Sequence, residues 1–346
     1  MGKPEMMKRV FISFITSAFF IAALSSPAYA QQKPAHVLPQ ESLDIYKQLA
    51  ATPELAPEIA KLDALLDEQL KKLSPKGADT FKGKQEHWRI NLTKACNAAL
   101  EAERKACQLD EVKRREYSLK NMIIQAGGRT FVREEYSYEI PVADDPRAVL
   151  YKTVYADDNV HKYFSWPQID GNPLTKAEEE WNELVKSQTR ADVELGDCEG
   201  RFSNQDVSFE FGYTSDNFIS IVYTKNWQCP GGSSGWPSQE VKNYILAPHP
   251  REMSVADIFD LSSDWSPKLA PLTDNELEKK NGGPQIEEAE RMLAQGENWL
   301  LTPDGIDLNF RYVNGHAGGV YHATIPWEAI KPFLQPHRAF KLPFEK

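Results

Sequence analysis

The stretch that decides the fold is residues 88–119, WRINLTKACNAALEAERKACQLDEVKRREYSL. It contains neither Gly nor Pro, and its charged residues are typical of the solvated face of a helix. It also contains two cysteines, Cys96 and Cys107. Together with the export signal described below, these features predict an oxidised helical module outside the cytoplasm.

The four cysteines of the chain allow three disulfide connectivities. We expect the sequential pairing Cys96–Cys107 and Cys198–Cys229. An unbroken helix would hold the Cα atoms of the first two cysteines about 16 Å apart, whereas a disulfide needs roughly 5–6 Å. Either the helix breaks between these two cysteines, or the pairing crosses domains.

The first thirty residues have the organisation of a secretory signal peptide. A basic start is followed by an apolar segment, Val10–Leu24, and by the small-residue cleavage site Ala28-Tyr29-Ala30. The apolar segment is too short to be read as a membrane-spanning helix. We expect a mature chain that begins at Gln31, is periplasmic or secreted, and has no stable membrane insertion after cleavage.

The charge balance of the chain is acidic, with a net charge of −10 at pH 7. Cleavage of the signal would remove Lys3, Glu5, Lys8 and Arg9, which makes the net charge −12. Such a chain lacks the basic surface that nucleic acid binding requires. It suits a cationic protein partner better.

Hydrophobic periodicity divides the chain into a helical part and a strand-rich part. Helices are predicted at residues 42–73 and 80–122, and the period changes after Gly127-Gly128. Strands are then predicted at residues 131–140, 148–155, 206–213, 217–224, 241–247, 308–313 and 320–325. Further helices are predicted at residues 176–187, 287–294 and 327–333, and a surface loop at 274–283.

Strands in hairpins with helices between them predict the α+β class. We expect an N-terminal helical hairpin module followed by an antiparallel-sheet domain with packed helices. The predicted segments are a signal peptide at residues 1–30, the helical module at 31–125 and the sheet domain at 129–346. The boundary is expected around Ile123–Gly128.

The Trp-Arg pair, the two cysteines and the Arg-rich helical tail resemble the N-terminal domain of LprI-type lysozyme inhibitors. This resemblance covers residues 43–121 and implies binding to lysozyme. The residues that carry it are Trp88, Arg89, Cys96, Cys107, Leu109, Arg115 and Leu119.

Residues 151–334 resemble the C-terminal extracellular domain of the anti-sigma factor RsiV, which also occurs beside some peptidoglycan deacetylases. The motifs that carry this resemblance are YFSWPQI at 163–169, NFISIVY at 217–223, MSVADIF at 253–259, LTPDGIDLNF at 301–310 and AGGVYHATIP at 317–326. The family commonly has a Gly-Ala-His-Pro segment after its central strand. This chain has Gly231–Pro237 there, without the His.

The segment at that position has the composition of a recognition loop. Two aromatic anchors flank adaptable small residues, a combination typical of binding surfaces. The segment also matches G-x-S-x-G, but the prolines on both sides favour a loop over the strand–turn–helix that a nucleophile requires. We therefore expect no catalytic residue, and partner binding by Trp227, Gly232, Ser233 and Trp236.

Neither a metal site nor a cofactor is predicted. His316 and His322 lie on a predicted hairpin, but no carboxylate or Cys completes a ligand set at the required spacing. The phosphate-binding and dinucleotide-binding fingerprints are also missing from the sequence.

The leading functional hypothesis is an exported cell-envelope protein that binds and inhibits lysozyme and is not an enzyme. The alternative is a non-catalytic protein that binds peptidoglycan or stabilises the envelope. An enzyme acting on the cell wall is the third hypothesis. Salt-sensitive binding to lysozyme would favour the first, retention on purified sacculi the second, and turnover of muropeptides the third.

Overall fold

The structure is a computed structural model that describes residues 46–47, 49–96, 101–141, 159–191, 204–228, 238–281, 290–291, 293–312 and 319–345. All of these residues belong to one compact unit, which extends from Gln40 to Lys346. The predicted signal peptide and the predicted strand at residues 148–155 lie outside the described residues. Residues 287–289 and 292 of the predicted helix at residues 287–294 do so as well.

Three helices form the N-terminal part of the described chain. They are α1 (Ala56–Leu70), α2 (Pro75–Ala95) and α3 (Glu101–Met122). Their apolar residues pack into one core, whose most buried members include Leu62, Phe81 and Leu119. None of the described helices combines the length and the apolar character that crossing a membrane would need.

The predicted long helix at residues 80–122 is in fact two helices. Because α2 ends at Ala95 and α3 begins at Glu101, the chain can change direction between them. Cys96 and Cys107 thereby approach to a Cα distance of 5.6 Å and form a disulfide. The first predicted pairing is confirmed, and of the two alternatives the broken helix is the correct one.

A seven-stranded sheet follows, in which the strands lie side by side in chain order. The strands are β1 (Ile123–Ala126), β2 (Arg129–Pro141), β3 (Asn159–Asp170), β4 (Asn204–Ser215), β5 (Phe218–Gln228), β6 (Ser238–Ile245) and β7 (Arg251–Glu252). Strands β3 and β4 are parallel, and all other neighbours in the sheet are antiparallel. This arrangement confirms the α+β class with a predominantly antiparallel sheet.

Helix α4 (Lys176–Ala191) covers part of this sheet through a buried tryptophan. The Trp181 ring centroid lies 6.0 Å from that of Phe131 and 6.0 Å from that of Tyr244, in edge-to-face contacts. Asn182 on the same helix accepts a hydrogen bond from the Ile169 backbone N–H at 2.8 Å. The helix is therefore held by both apolar and backbone contacts.

Helix α5 (Trp265–Asn281) corrects the prediction of a surface loop at residues 274–283. The prediction of a loop is based on the charged residues after 273 and on the two glycines Gly282 and Gly283. Leu269, Ala270 and Thr273 are almost fully buried on one side of this helix. Burial of that side stabilises a helix that local sequence preference alone does not indicate.

A second sheet of three strands packs beside α5. Its strands are β8 (Trp299–Leu301), β9 (Gly305–Tyr312) and β10 (Gly319–Pro326). They have the order β10-β9-β8, and the short helix α6 (Trp327–Ile330) follows them. Ser220 of β5 accepts a hydrogen bond from the Leu301 backbone N–H at 3.0 Å, which joins the two sheets.

The helical part also contacts the large sheet directly. Val132 of β2 belongs to the helical core. Lys84 of α2 forms an ion pair with Glu134, also on β2. The helices therefore lie against the first strands of the sheet.

Candidate partner-binding surface

The loop predicted to bind a partner is the connection between β5 and β6. The two strands are antiparallel neighbours, with Lys225 opposite Ser238 at the outermost paired position. Trp227 is half-buried in β5 and lies opposite Gln205 of β4. Outside the described residues lie the other predicted site residues, Gly232, Ser233, Trp236, Cys198 and Cys229.

Four residues on neighbouring strands stand side by side at this end of the sheet. They are Ser137, Tyr163, Asp206 and Asn226, which are in register across β2, β3, β4 and β5. Residues opposite one another on paired strands share a face of the sheet. Because three of the four are exposed and Tyr163 is half-buried, the row forms an open polar strip.

The strip continues along the same face of β4, β5 and β6, since alternate residues of a strand share a face. Ser208 lies opposite Thr224, Glu210 opposite Val222, and Thr224 opposite Gln239. Beyond them the three-stranded sheet covers this face. We name the open surface the polar face, and it consists of Ser137, Tyr163, Asp206, Ser208, Glu210, Thr224, Asn226 and Gln239.

The polar face carries negative charge. Asp206 and Glu210 are its two carboxylates, and none of its eight members is Lys or Arg. Partial burial raises the pKa of the Asp206 carboxyl group. Glu210 is exposed to solvent, so its side chain is open to a partner.

The hydroxyl of Tyr163 is already engaged in a hydrogen bond at this surface. It donates to the Glu135 carboxylate at 2.8 Å. Burial, together with the negative charge of Glu135, raises the pKa of the Tyr163 phenol. The hydroxyl therefore keeps its proton over the whole physiological range.

The opposite face of the same strands holds paired charges instead. Glu240 lies 2.6 Å from the Lys225 ammonium and 3.0 Å from that of Lys242, and Lys242 also lies 3.4 Å from Glu252. Burial opposes ionisation of Glu240, but the two lysines prevail and hold the pKa of its carboxyl below the usual range. Among the residues that the structure describes, neither Asp206 nor Glu210 of the polar face forms such an ion pair.

A groove of about 600 Å³ lies between the β4–β5 turn and the C-terminal segment. Its walls include Tyr213, Asp216, Asn217, Arg338 and Lys341. Arg338 is engaged with Glu345 through an ion pair. Within the described part of the chain, no group of three His, Cys, Asp or Glu side chains is placed to hold a metal ion.

Comparisons with known proteins give structural likeness without a sequence match. No protein-family model matches the chain, and no curated protein matches it either. The structure is similar to a crystal structure of a DUF3298 family member from Bacteroides fragilis, at 17% identity over 61% of this chain and 96% of that chain, with a TM-score of 0.43. A DUF3298 family protein from Pseudomonas aeruginosa is similar at 13% identity over 59% and 94%, with a TM-score of 0.38.

Sequence reasoning predicted the strands β2, β4, β5 and β6 of this surface but missed β3 and did not identify the surface itself. The run Asp206-Val-Ser-Phe-Glu210 alternates polar and apolar residues, which predicts a strand with one open polar face. The row across four strands could not be derived in the same way, because Tyr163 and Asp206 become neighbours only through the parallel pairing of β3 and β4.

Proposed function

We propose that this chain is an exported protein that binds and inhibits a lysozyme-like cationic enzyme, and that it catalyses no reaction itself. The two sequence resemblances support the proposal. The helical part resembles LprI-type inhibitors, and residues 151–334 resemble the RsiV extracellular domain. Each family points to lysozyme or to the bacterial envelope.

The observation that carries the proposal is the acidic polar face beside the β5–β6 connection. A cationic enzyme would be drawn to Asp206 and Glu210 by long-range attraction, which the net charge of −10 strengthens. Of the two predicted aromatic anchors, Trp227 alternates with Asn226 along β5 and so lies on the opposite face of the sheet. Trp236 of the connection would therefore supply the close apolar contact.

The disulfide between Cys96 and Cys107 supports the proposed location. Structural disulfides form and persist in oxidising compartments such as the bacterial periplasm and the extracellular space. The predicted signal peptide points to the same location.

The test is a titration of the mature chain, residues 31–346, with purified lysozyme at low and at physiological salt. The double variant Asp206→Asn/Glu210→Gln should weaken binding about tenfold, or about 1.4 kcal/mol, and should reduce the salt dependence. A matched control, Asp67→Asn/Asp264→Asn, removes the same charge from exposed positions elsewhere. The control should change the affinity for lysozyme by less than about twofold, because it removes only long-range attraction.

Inhibition is measured separately as the rate at which lysozyme clears a suspension of cell walls. Wild-type chain should slow clearance, and the polar-face variant should do so only at higher concentration. If the two double variants bind lysozyme with equal affinity, the interface does not lie at the polar face. A wild-type chain that neither binds lysozyme nor slows clearance would reject the proposed function.

The alternative, peptidoglycan binding, is favoured by the C-terminal groove, whose volume lies within the range of small-ligand sites. Pull-down on purified sacculi tests it. Two results together would support this alternative. The chain should be retained on sacculi unless free muropeptides compete for it, and it should not bind lysozyme. Turnover of the muropeptides would instead establish an enzyme.

A further inference from the structure

The C-terminal groove has two walls that direct hydrogen bonds hold together. One wall is the turn between β4 and β5, residues 213–217, and the other lies within the C-terminal segment, residues 336–345. Asn217 joins them, because its Nδ2 donates to the Ala339 carbonyl at 2.7 Å while its Oδ1 accepts the Ala247 backbone N–H at 2.6 Å. The groove is therefore a pre-formed cleft, as small-ligand sites usually are.

Aromatic side chains form the apolar part of this groove. Phe340 lines it and stacks on Phe218, with the two ring centroids 4.1 Å apart. Tyr213 lines it as well, and its ring centroid lies 6.3 Å from that of Phe218. Aromatic surface with a few charged groups beside it can bury a carbon skeleton and fix its orientation.

Two charged side chains in the lining neutralise each other. Arg338 forms an ion pair with Glu345 and donates from Nη1 to the Gln335 carbonyl at 2.5 Å. Asp216 and Lys341 also line the groove, and both are exposed. Within the described part of the chain, neither the Asp216 carboxylate nor the Lys341 ammonium has a hydrogen bond or an ion pair. The groove thus offers a carboxylate on one wall and an ammonium on the other.

These two charges indicate the class of ligand by complementarity. A carboxylate attracts an ammonium group, and an ammonium group attracts a carboxylate. A ligand that carries only negative charge, such as a phosphate, would be repelled by Asp216. A short peptide with both ends free carries the two required charges at a distance from each other. The groove volume of about 600 Å³ lies within the range of small-ligand sites, about 300–1,000 Å³.

We propose that the C-terminal groove binds a short peptide with free ends, whose amino group pairs with Asp216 and whose terminal carboxylate pairs with Lys341. Tyr213 and Phe340 contact the peptide between these ends. The site goes beyond the proposed function, because it lies in the groove and not on the polar face and does not require lysozyme. Peptides of the cell wall and peptides released from proteins share this chemistry.

The first measurement is a calorimetric titration of the mature chain with tetra-alanine in three forms. One form has both ends free, one has an acetylated amino end, and one has an amidated carboxyl end. The free form should bind, and each blocked end should weaken binding about fivefold, a modest factor because solvent screens each ion pair. Equal affinities of the three forms would overturn the inference.

Variants then assign each end of the peptide to its wall. Asp216→Asn should weaken binding of the free form about fivefold, and acetylation should weaken binding to this variant no further. Lys341→Gln should respond to amidation in the same way. The controls Asp264→Asn and Lys71→Gln remove the same charges from exposed positions elsewhere and should stay within about twofold of wild type. If each blocked end costs as much in its variant as in wild type, the inference is overturned.

Muropeptides released from purified sacculi identify the source of the ligand. If they bind wild-type chain at least as tightly as tetra-alanine, and bind Asp216→Asn and Lys341→Gln more weakly, the site takes cell-wall peptides. Weaker binding of muropeptides than of tetra-alanine would assign the site to peptides released from proteins. If neither probe binds, the inference is overturned, whether or not the chain binds lysozyme.

Discussion

The Asp170 carboxylate at the end of β3 accepts two hydrogen bonds from Ser74, which precedes α2. One comes from the Ser74 backbone N–H at 2.6 Å and the other from its hydroxyl at 2.7 Å. The same hydroxyl oxygen accepts the Gly77 backbone N–H at 3.0 Å, so Ser74 is the N-cap of α2. One carboxylate of the sheet therefore orients the cap of a helix in the helical part.

The first prediction follows from this contact. Asp170→Ala should lower the free energy of unfolding by about 1–3 kcal/mol, because two partly buried donors lose their charged acceptor. Urea unfolding followed by circular dichroism measures the change. Asp79→Ala is the control, because Asp79 lies on helix α2, whose N-cap Asp170 contacts, and its side chain is 81% exposed. Equal effects of the two substitutions would contradict the role given to Asp170.

The second prediction concerns Gly77, which leaves room for that carboxylate. A Cβ atom added at Gly77 would lie 2.2 Å from Asp170 Oδ1. Gly77→Ala should therefore destabilise the wild-type chain, although Ala is favoured over Gly in a helix by about 1 kcal/mol. In the Asp170→Ala background the clash is gone, so the same substitution should become neutral or stabilising. A cost that is the same in both backgrounds would exclude this clash as the cause.

The third prediction concerns the disulfide between α2 and α3. Cys96→Ser/Cys107→Ser should lower the free energy of unfolding by about 2–4 kcal/mol, because the unfolded chain is no longer cross-linked. Thermal or urea unfolding checks this value. Mass spectrometry of unreduced protein from the periplasm should find no free thiol, since we also expect Cys198 and Cys229 to pair. Four alkylated cysteines would reject both pairings.

The fourth prediction is a pH dependence that arises at Asp257. A hydrogen bond from Arg251, with others from Ser254, lowers the pKa of the Asp257 carboxyl from 3.8 to about 2. Its contribution to stability is therefore present above pH 3.8 and is lost as the pH falls through about 2.

Asp257→Asn measures this contribution. Because solvent screens the pair, the variant should cost no more than about 1 kcal/mol at neutral pH, and the cost should shrink as the pH approaches 2. Urea unfolding at several pH values gives the curve. Asp264→Asn, at a nearby exposed position, should show no such trend. A cost independent of pH would mean that the charge of Asp257 is not what stabilises this turn.

The fifth prediction concerns the loop between β5 and β6. Trp236→Ala should weaken binding to lysozyme roughly thirtyfold, because truncation of an aromatic anchor typically costs about 2 kcal/mol. The free energy of unfolding of this variant should change little. Ser233→Ala should leave affinity and stability unchanged, since we assign no nucleophile there. If Trp236→Ala binds lysozyme with unchanged affinity, this result favours an interface on the helical part. If Ser233→Ala loses an activity, this result favours an enzyme.

Local patterns in the sequence determined which elements exist. The apolar stripe of α1, which includes Ile59, Leu62 and Leu66, predicted a helix, and these residues are buried in the helical core. Alternation and turn residues predicted β2, β4, β5, β6, β9 and β10 to within a few residues of their ends. These patterns succeed because the side-chain period of a helix or strand depends only on neighbours along the chain.

Contacts between distant residues decided the rest. The break after Ala95 is not encoded by Gly or Pro, and it follows from packing α2 and α3 into one core with a disulfide between them. The polar face exists because the parallel pairing of β3 with β4 places Tyr163 beside Asp206. The sequence alone determined periodicity, net charge and the pairing options of the cysteines. Register, burial and the neighbours of each charge were decided by the tertiary structure, because they depend on residues far apart in the chain.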